Sequence, residues 1–235
     1  MEGTRGKYNE TNKLENQIFS IKLIKTMIIN STLKYIFMDV PKTGTTSIQK
    51  WLIENDKNAK KRIYTDRSID CTHIRYKTLE EVLGEDLLKY KVIAVVRHPY
   101  ERVVSAYYFY KKGGKKKLIK NYTKTSLGVT IKIIIAKILP FWLWALVYPL
   151  KKTQYFINSK NDTMLIDYLI DYSNLNETIP KIMEEIGLNI STSIPVINVT
   201  NNKKRTLNYT KIEEFILKLK YGKELRQIDL FSLIY

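Results

Sequence analysis

The chain has 235 residues, of which 44% are hydrophobic and 27% are charged, enough for one folded domain with a sizeable core. Its single cysteine, Cys71, has no partner within the chain, which excludes an internal disulfide framework and favours a reducing compartment. The net charge is +17, but the stretch from Arg102 to Asn161 holds thirteen Lys or Arg and no Asp or Glu. Because the basicity is local, the composition argues against a specific nucleic-acid partner.

The N-terminal part has the composition of a tail. Met1–Asn16 is polar and charged, unlike a secretory signal, and the apolar stretch Ile18–Ile29 is interrupted by lysines and too short to span a bilayer. We therefore expect residues 1–30 to form a tail or peripheral element, with a short helix or edge strand in its second half, and residues 31–235 to form a single domain. A cytoplasmic location is expected, with membrane association compatible; the Golgi lumen would be expected only if an N-terminal anchor is missing from this chain.

A buried strand, a tight loop and a helix are predicted in succession near residue 40. The apolar run Tyr35–Val40 is followed by Pro41–Ser47, and then by apolar residues at helical spacing: Ile48, Trp51 and Leu52. The first turn of a helix has unpaired N–H groups and a partial positive charge, so this arrangement predicts an anion cradle. Further donors would come from the loop side chains Lys42, Thr43, Thr45, Thr46 and Ser47, with Gly44 allowing close approach.

The position of the lysine separates this loop from that of nucleotide triphosphatases. In those enzymes the Lys directly follows the last Gly of the loop. Here Lys42 precedes the loop's one glycine, Gly44, by two positions. A kinase-like or ATPase function is therefore disfavoured.

A second strand is predicted to end in a cluster of polar residues. Lys91–Val96 is apolar after its first residue and leads into Arg97-His98-Pro99-Tyr100-Glu101-Arg102, with Ser105 one turn further along a predicted helix. Arg102 is expected to face solvent or an acidic partner.

The remaining elements predict an α/β fold with a mainly parallel central sheet flanked by helices on both faces. Helices are predicted from Thr78 to Lys89, from Asn174 or Asn176 to Gly187, and from Thr210 to near Gly222, and a third strand over Met164–Ile170. The chain between Asn55 and Arg75 is charged and predicted to be irregular. In such sheets ligands bind at the carboxyl ends of the strands, where both polar motifs lie.

An insertion with two parts is expected at about 111–152. Its first part holds seven lysines between Lys111 and Lys124, which indicates either a solvated loop or a landing surface for an anionic acceptor or membrane. Its second part, Leu127–Leu150, is apolar, with Trp142 and Trp144 among its residues. Either it forms a buried helix pair, or it contacts a membrane headgroup layer through these tryptophans.

Together the two polar motifs resemble those of sulfotransferases that use 3′-phosphoadenylyl sulfate (PAPS). Pro41–Ser47 is similar to the family's 5′-phosphosulfate loop, and the residues from Arg97 to Tyr107 are similar to its 3′-phosphate motif. Looser similarity extends from Lys34 to the end of the chain. The resemblance is to the carbohydrate type, meaning the heparan/uronyl 2-O-sulfotransferase and chondroitin-type branch, and it implies a P-loop-like sulfotransferase fold.

The resemblance also implies roles for individual residues. PAPS would be the co-substrate, held at its 5′-phosphate by Pro41, Lys42, Thr43, Gly44, Thr45, Thr46 and Ser47, and at its 3′-phosphate by Arg97 and Ser105. Lys42 would stabilise the leaving group. His73, 24 residues before Arg97, is placed like the catalytic base of the 2-O-sulfotransferase branch, and His98 is a weaker candidate. The acceptor would be a saccharide or glycoconjugate.

Two further expectations complete the prediction. No metal site is expected, because one Cys, two distant His and scattered carboxylates do not match ligand spacings. The alternative to an enzyme is a non-catalytic module that binds an anionic surface or nucleic acid through the basic block 102–161, and peripheral contact with an anionic membrane is compatible with either.

Overall fold

The structure is a computed structural model that describes residues 23–66, 73–113, 127–148, 150–197 and 208–232. Its centre is a sheet of five strands in the order β3-β1-β2-β4-β5. In chain order these are β1 Leu23–Asn30, β2 Tyr35–Met38, β3 Lys60–Asp66, β4 Lys91–Val96 and β5 Tyr168–Asp171.

One strand runs against the other four. β2 pairs in parallel with β4, and β4 with β5, whereas β1 is antiparallel to both β2 and β3. β3 therefore points the same way as β2, and β1 alone is reversed among the described strands. The expected α/β class is confirmed, with a mixed sheet in which one direction dominates.

The helices of the described residues lie around this sheet. Two 3₁₀ turns, Gly84–Lys89 and Tyr172–Asn174, supplement them. The α-helices are α1 Thr45–Asn55, α2 Tyr76–Leu83, α3 Pro99–Lys111, α4 Leu127–Ile138, α5 Phe141–Val147, α6 Gln154–Ile157, α7 Leu175–Glu185 and α8 Lys211–Ser232.

Both faces of the sheet are buried, which explains the continuous apolar runs of its strands. In β2, Tyr35 and Phe37 pack with α1 and α7, whereas Ile36 and Met38 pack on the opposite face with α2 and α6. Alternate residues of β4 divide in the same way. Helices therefore cover both faces, as the sequence predicted.

β1 corrects the expected boundary near residue 30. Rather than forming a peripheral element or edge strand, β1 lies between β3 and β2, and Met27, Ile28 and Ile29 are buried. The interrupting lysines obscured this strand in the sequence. β3, which we did not predict, begins with Lys60 and Lys61 and lies at the edge of the sheet, where charged side chains are common.

A third apolar cluster joins α3, α4, α5 and α8 beside the sheet. Within it, Trp144 is fully buried and stacks on Tyr148 with a centroid distance of 4.2 Å. The apolar segment Leu127–Leu150 thus supplies core residues, mainly from α5. Within the described ranges, no helix is long and apolar enough to cross a bilayer.

Two predicted helices differ from their expected limits. The first begins at Tyr76 and tightens into a 3₁₀ turn after Leu83, while α8 continues ten residues past Gly222. A capping box begins α8, as the predicted start at Thr210 requires: the Thr210 N–H donates to Glu213 Oε2 at 2.9 Å, and the Glu213 N–H donates to Thr210 Oγ1 at 3.3 Å.

Candidate active site

Three parallel strands end at one edge of the sheet, and the two polar motifs meet there. Met38 of β2 pairs with Ala94 of β4, and Val96 of β4 pairs with Asp171 of β5. The loop Pro41–Gly44, Arg97 and Tyr172 each follow the end of one of these strands. The expected position of both motifs at the carboxyl edge is therefore what the structure shows.

The loop before α1 has the backbone of an anion cradle. Lys42 and Gly44 have positive φ angles of 68° and 76°, and Gly44 is the N-cap of α1. The first amides of a helix have no intrahelical partner, so those of Thr45 and Thr46 point out of the helix end. Thr46 is also exposed. These donors, with the helix dipole, favour a bound phosphate.

Tyr172 connects this loop to the second motif. A Cβ atom added at Gly44 would lie 2.8 Å from Tyr172 Cε2, and the guanidinium carbon of Arg97 lies 4.3 Å from the centre of the same ring. One aromatic ring thus packs on the cradle and stacks under the arginine. Gly44 is needed both for its left-handed backbone and for this close approach.

Replacing Gly44 by Ala should therefore impair the cradle. We expect a loss of roughly 1–3 kcal/mol in stability or in anion affinity, from backbone strain together with displacement of Tyr172. The matched control is Gly113→Ala, because Gly113 also has a positive φ, 86°, but no atom within 4 Å of the added Cβ. Equal stability and equal anion affinity in the two variants, both measured by calorimetry, would contradict a role for the Tyr172 contact.

One face of α3 forms the opposite wall of the site. Arg97 Nε donates to Glu101 Oε2 at 2.8 Å, and Lys42 Nζ lies 4.1 Å from the centre of the Phe109 ring. Glu101, Ser105 and Phe109 are four residues apart, so they share this face of the helix. Ser105 therefore lies between the residues that contact Arg97 and Lys42. The predicted basic residues Lys42 and Arg97 and the predicted Ser105 therefore lie along one face of α3.

Several loop hydroxyls have partners within the protein. Thr43 Oγ1 donates to Val40 O at 2.9 Å, and the N–H of Ile197 donates to Ser47 Oγ at 3.1 Å. Thr45 is buried and interacts with the Asp39 carboxylate. These three hydroxyls fix the loop, so the backbone amides at the start of α1 are its best candidates for contact with a ligand.

His73 lies beside a carboxylate. Its Nδ1 atom is 3.1 Å from Asp39 Oδ1, and its ring packs edge-on against Phe156 with centroids 6.2 Å apart. Burial alone would raise the pKa of Asp39, but the charge of a protonated His73, together with Thr45 and Lys61, lowers it below its usual value. An ionised Asp39 beside Nδ1 favours a proton on that nitrogen.

His98 has a structural position. It is the N-cap of α3, and its Nδ1 accepts a hydrogen bond from the Tyr100 N–H at 3.3 Å. Asp and Asn, which occupy this position in the motif that the sequence resembles, are also good N-cap residues. The histidine substitution therefore retains the cap, and His98 is the less suitable of the two candidate bases.

Arg102 was expected to face either solvent or an acidic partner. It is buried, and its acidic partner is Glu224. Its Nη1 donates to Glu224 Oε1 at 2.7 Å and also to Thr153, and its Nη2 donates to Lys151 O at 3.0 Å. Nε lies 3.4 Å from Pro41 O. Arg102 thus ties α3 and α8 to the first residue of the cradle.

Sequence reasoning missed Asp39, Tyr172 and Phe109 at this site. Only Asp39 left a signal, as a carboxylate within an otherwise apolar run. The aromatic residues had none, because their contacts join parts of the chain that no local pattern links. No cluster of His, Cys, Asp and Glu suited to a metal ion occurs in the parts of the chain that the structure describes.

Comparison with known proteins gives one match. The model of the sulfotransferase family matches residues 25–227, which is most of the chain and includes both motifs, His73 and all five strands except the first two residues of β1. No curated protein and no solved structure matches the chain.

Proposed function

Because the chain belongs to the sulfotransferase family, we propose that it transfers a sulfuryl group from PAPS to a hydroxyl of a saccharide or glycoconjugate. Family membership supports sulfuryl transfer in general. The donor and the acceptor class are our proposal. The observation that carries it is the convergence of the Lys42 loop and Arg97 on one Tyr172 ring.

The nucleotide would bridge the two motifs. The 5′-phosphate fits the N-terminus of α1, where backbone amides, Thr46 and Lys42 are donors. The 3′-phosphate fits Arg97 and Ser105. Glu101 and Tyr172 hold the guanidinium through Nε and the ring face, which leaves the Nη edge suited to a bidentate phosphate contact.

The reaction would be an in-line displacement at sulfur. The acceptor oxygen forms a bond to sulfur while the bond from sulfur to the 5′-phosphate oxygen breaks, and negative charge develops on that phosphate. Lys42 and the α1 amides would stabilise this charge, as oxyanion donors do in acyl transfer. The acceptor proton would pass to a base on the opposite side of the sulfuryl group.

His73 is our candidate for this base, with Asp39 as the residue that positions it. A carboxylate at Nδ1 orients the imidazole and stabilises the imidazolium formed on proton transfer, while Nε2 receives the proton. The placement of His73 relative to Arg97 is also what suggests a carbohydrate-type acceptor.

Binding of adenosine 3′,5′-bisphosphate, the product nucleotide, tests the proposal. Lys42→Ala and Arg97→Ala should each weaken its affinity by about 10- to 100-fold, since each removes a charge-assisted contact to a phosphate. Matched controls are Lys50→Ala, whose side chain is 55% exposed and pairs with Glu54, and Arg226→Ala on the surface of α8. Both controls should bind like the unaltered protein.

The same titrations address the alternative of an anionic-surface or nucleic-acid binding module. Such a module would bind heparin or RNA with an affinity that falls steeply with salt and that is insensitive to Lys42→Ala and Arg97→Ala. Absence of saturable nucleotide binding, together with this behaviour, would refute the enzyme proposal. If nucleotide binding is saturable and depends on both residues, incubation with radiolabelled PAPS and panels of oligosaccharides, glycolipids and small alcohols would identify the acceptor class.

A further inference from the structure

The outer surface of α4 carries an apolar stripe that the fold does not use. Ile131, Ile134 and Ile138 are 44%, 49% and 74% exposed. Their spacing of three and four residues places them on one face of the helix. We refer to these three residues as the isoleucine stripe.

α4 is already packed through its other side. Ala136 is fully buried, and Ile135 and Leu139 contact the cluster formed with α3 and α5. None of the three stripe residues belongs to this cluster. Three partly exposed isoleucines on the same side of one short helix are unfavourable where that surface contacts only water.

Two lysines lie at the C-terminal half of α4. Lys137 is exposed on α4 between Ile134 and Ile138. Lys111 Nζ donates to the Tyr107 hydroxyl at 2.9 Å, and that hydroxyl donates to Leu139 O at 3.0 Å, which places Lys111 at the C-terminal end of α4. Between Arg102 and Asn161 the sequence contains no acidic residue, so this part of the chain is uniformly basic.

We propose that the isoleucine stripe and its lysines dock α4 onto the surface of an anionic lipid bilayer. An apolar face flanked by cations is the composition of helices that lie in the headgroup region, where burial of apolar side chains and attraction to anionic lipids add together. With 12 residues, α4 is about 18 Å long, so it lies on the bilayer and does not cross it.

The structure changes which residues should contact the lipid. From the sequence, Trp142 and Trp144 were the expected contacts. Trp144 is fully buried in the core and Trp142 is half-buried, so the isoleucines take this role. Docking does not depend on sulfuryl transfer. It would place the candidate site within about one helix diameter of the docked helix, because α4 packs on α3 and α3 also carries the residues that contact Lys42 and Arg97.

Vesicle flotation tests the proposal. At low salt, the full chain should float with vesicles of phosphatidylcholine containing about a third phosphatidylserine, and not with phosphatidylcholine alone. The triple variant Ile131→Ser, Ile134→Ser, Ile138→Ser should lower the partition coefficient by roughly tenfold or more. Lys111→Gln with Lys137→Gln should lower it by a smaller factor, with a weaker dependence on salt.

The control is a second triple variant, Ile53→Ser, Val82→Ser, Leu88→Ser, whose positions are 43%, 47% and 87% exposed on other elements. It removes similar exposed apolar surface and should float like the unaltered chain. Equal flotation of the two triple variants would overturn the proposal, as would failure of the unaltered chain to bind anionic vesicles. If the unaltered chain instead formed a dimer without lipid, and only the stripe variant failed to dimerise, the stripe would be assigned to contact with a second copy of the chain.

Discussion

Replacement of His73 by Ala is expected to abolish turnover while leaving nucleotide affinity nearly unchanged. The side chain lies close to Asp39 and Phe156, and it has no proposed role in holding a phosphate, so its loss should leave the phosphate contacts largely in place. Removal of a general base typically lowers the rate by about 10²–10⁴-fold. Steady-state kinetics with PAPS, and calorimetry with adenosine 3′,5′-bisphosphate, would measure the two quantities separately.

Two companion variants sharpen this prediction. Asp39→Asn keeps the shape of the positioning residue but removes its charge, so it should lower turnover by a smaller factor than loss of the base. His98→Asn retains an N-cap for α3 and should leave turnover nearly intact. Unchanged turnover in His73→Ala, or a larger loss in His98→Asn, would remove His73 from the mechanism.

Arg102→Met should cause the largest loss of stability. Arg102 and Glu224 are 1% and 0% exposed, so the substitution leaves a carboxylate buried without its cation. Breaking one side of a buried ion pair costs roughly 3–5 kcal/mol. For a chain of this size, that corresponds to a fall in Tm of roughly 6–20 °C by calorimetry.

The pair can be tested as a unit with a double-mutant cycle. Arg102→Met combined with Glu224→Gln removes both charges, and it should recover part of the stability lost in the single variant. The control Arg97→Met removes an arginine whose partner Glu101 is partly exposed, and it should change Tm much less. Additive losses in the double variant would show that the two buried residues are not coupled.

The sequence was informative where structure depends on local pattern. The strand before Pro41 and the helix after Gly44 follow from an apolar run, a loop residue that tolerates positive φ and helical spacing, all within about twenty residues. The proximity of Arg97 to this loop followed from one rule, that parallel strands present their carboxyl ends at one edge. Both predictions needed no knowledge of side-chain packing.

Sequence patterns did not indicate contacts between residues that are far apart along the chain. Arg102 and Glu224 are separated by 122 residues, and nothing in α3 indicates that its second arginine is buried. The pairing of Asp39 with His73 was equally hidden. The central position of β1 was hidden for a different reason. Its lysines and polar surroundings are typical of a tail or an edge strand, and its pairing on both sides places it inside the sheet.

The reversed strand β1 has a consequence for any shortened form of this protein. It joins β2 through the short turn Ser31–Lys34 and holds β3 on its other side. A chain cut at residue 31 would retain the Lys42 loop, Arg97 and His73, yet β2 would lose a neighbour and β3 its only described partner. Unpaired strand edges of this kind recruit other chains, so such a fragment would self-associate although every group for the chemistry is present.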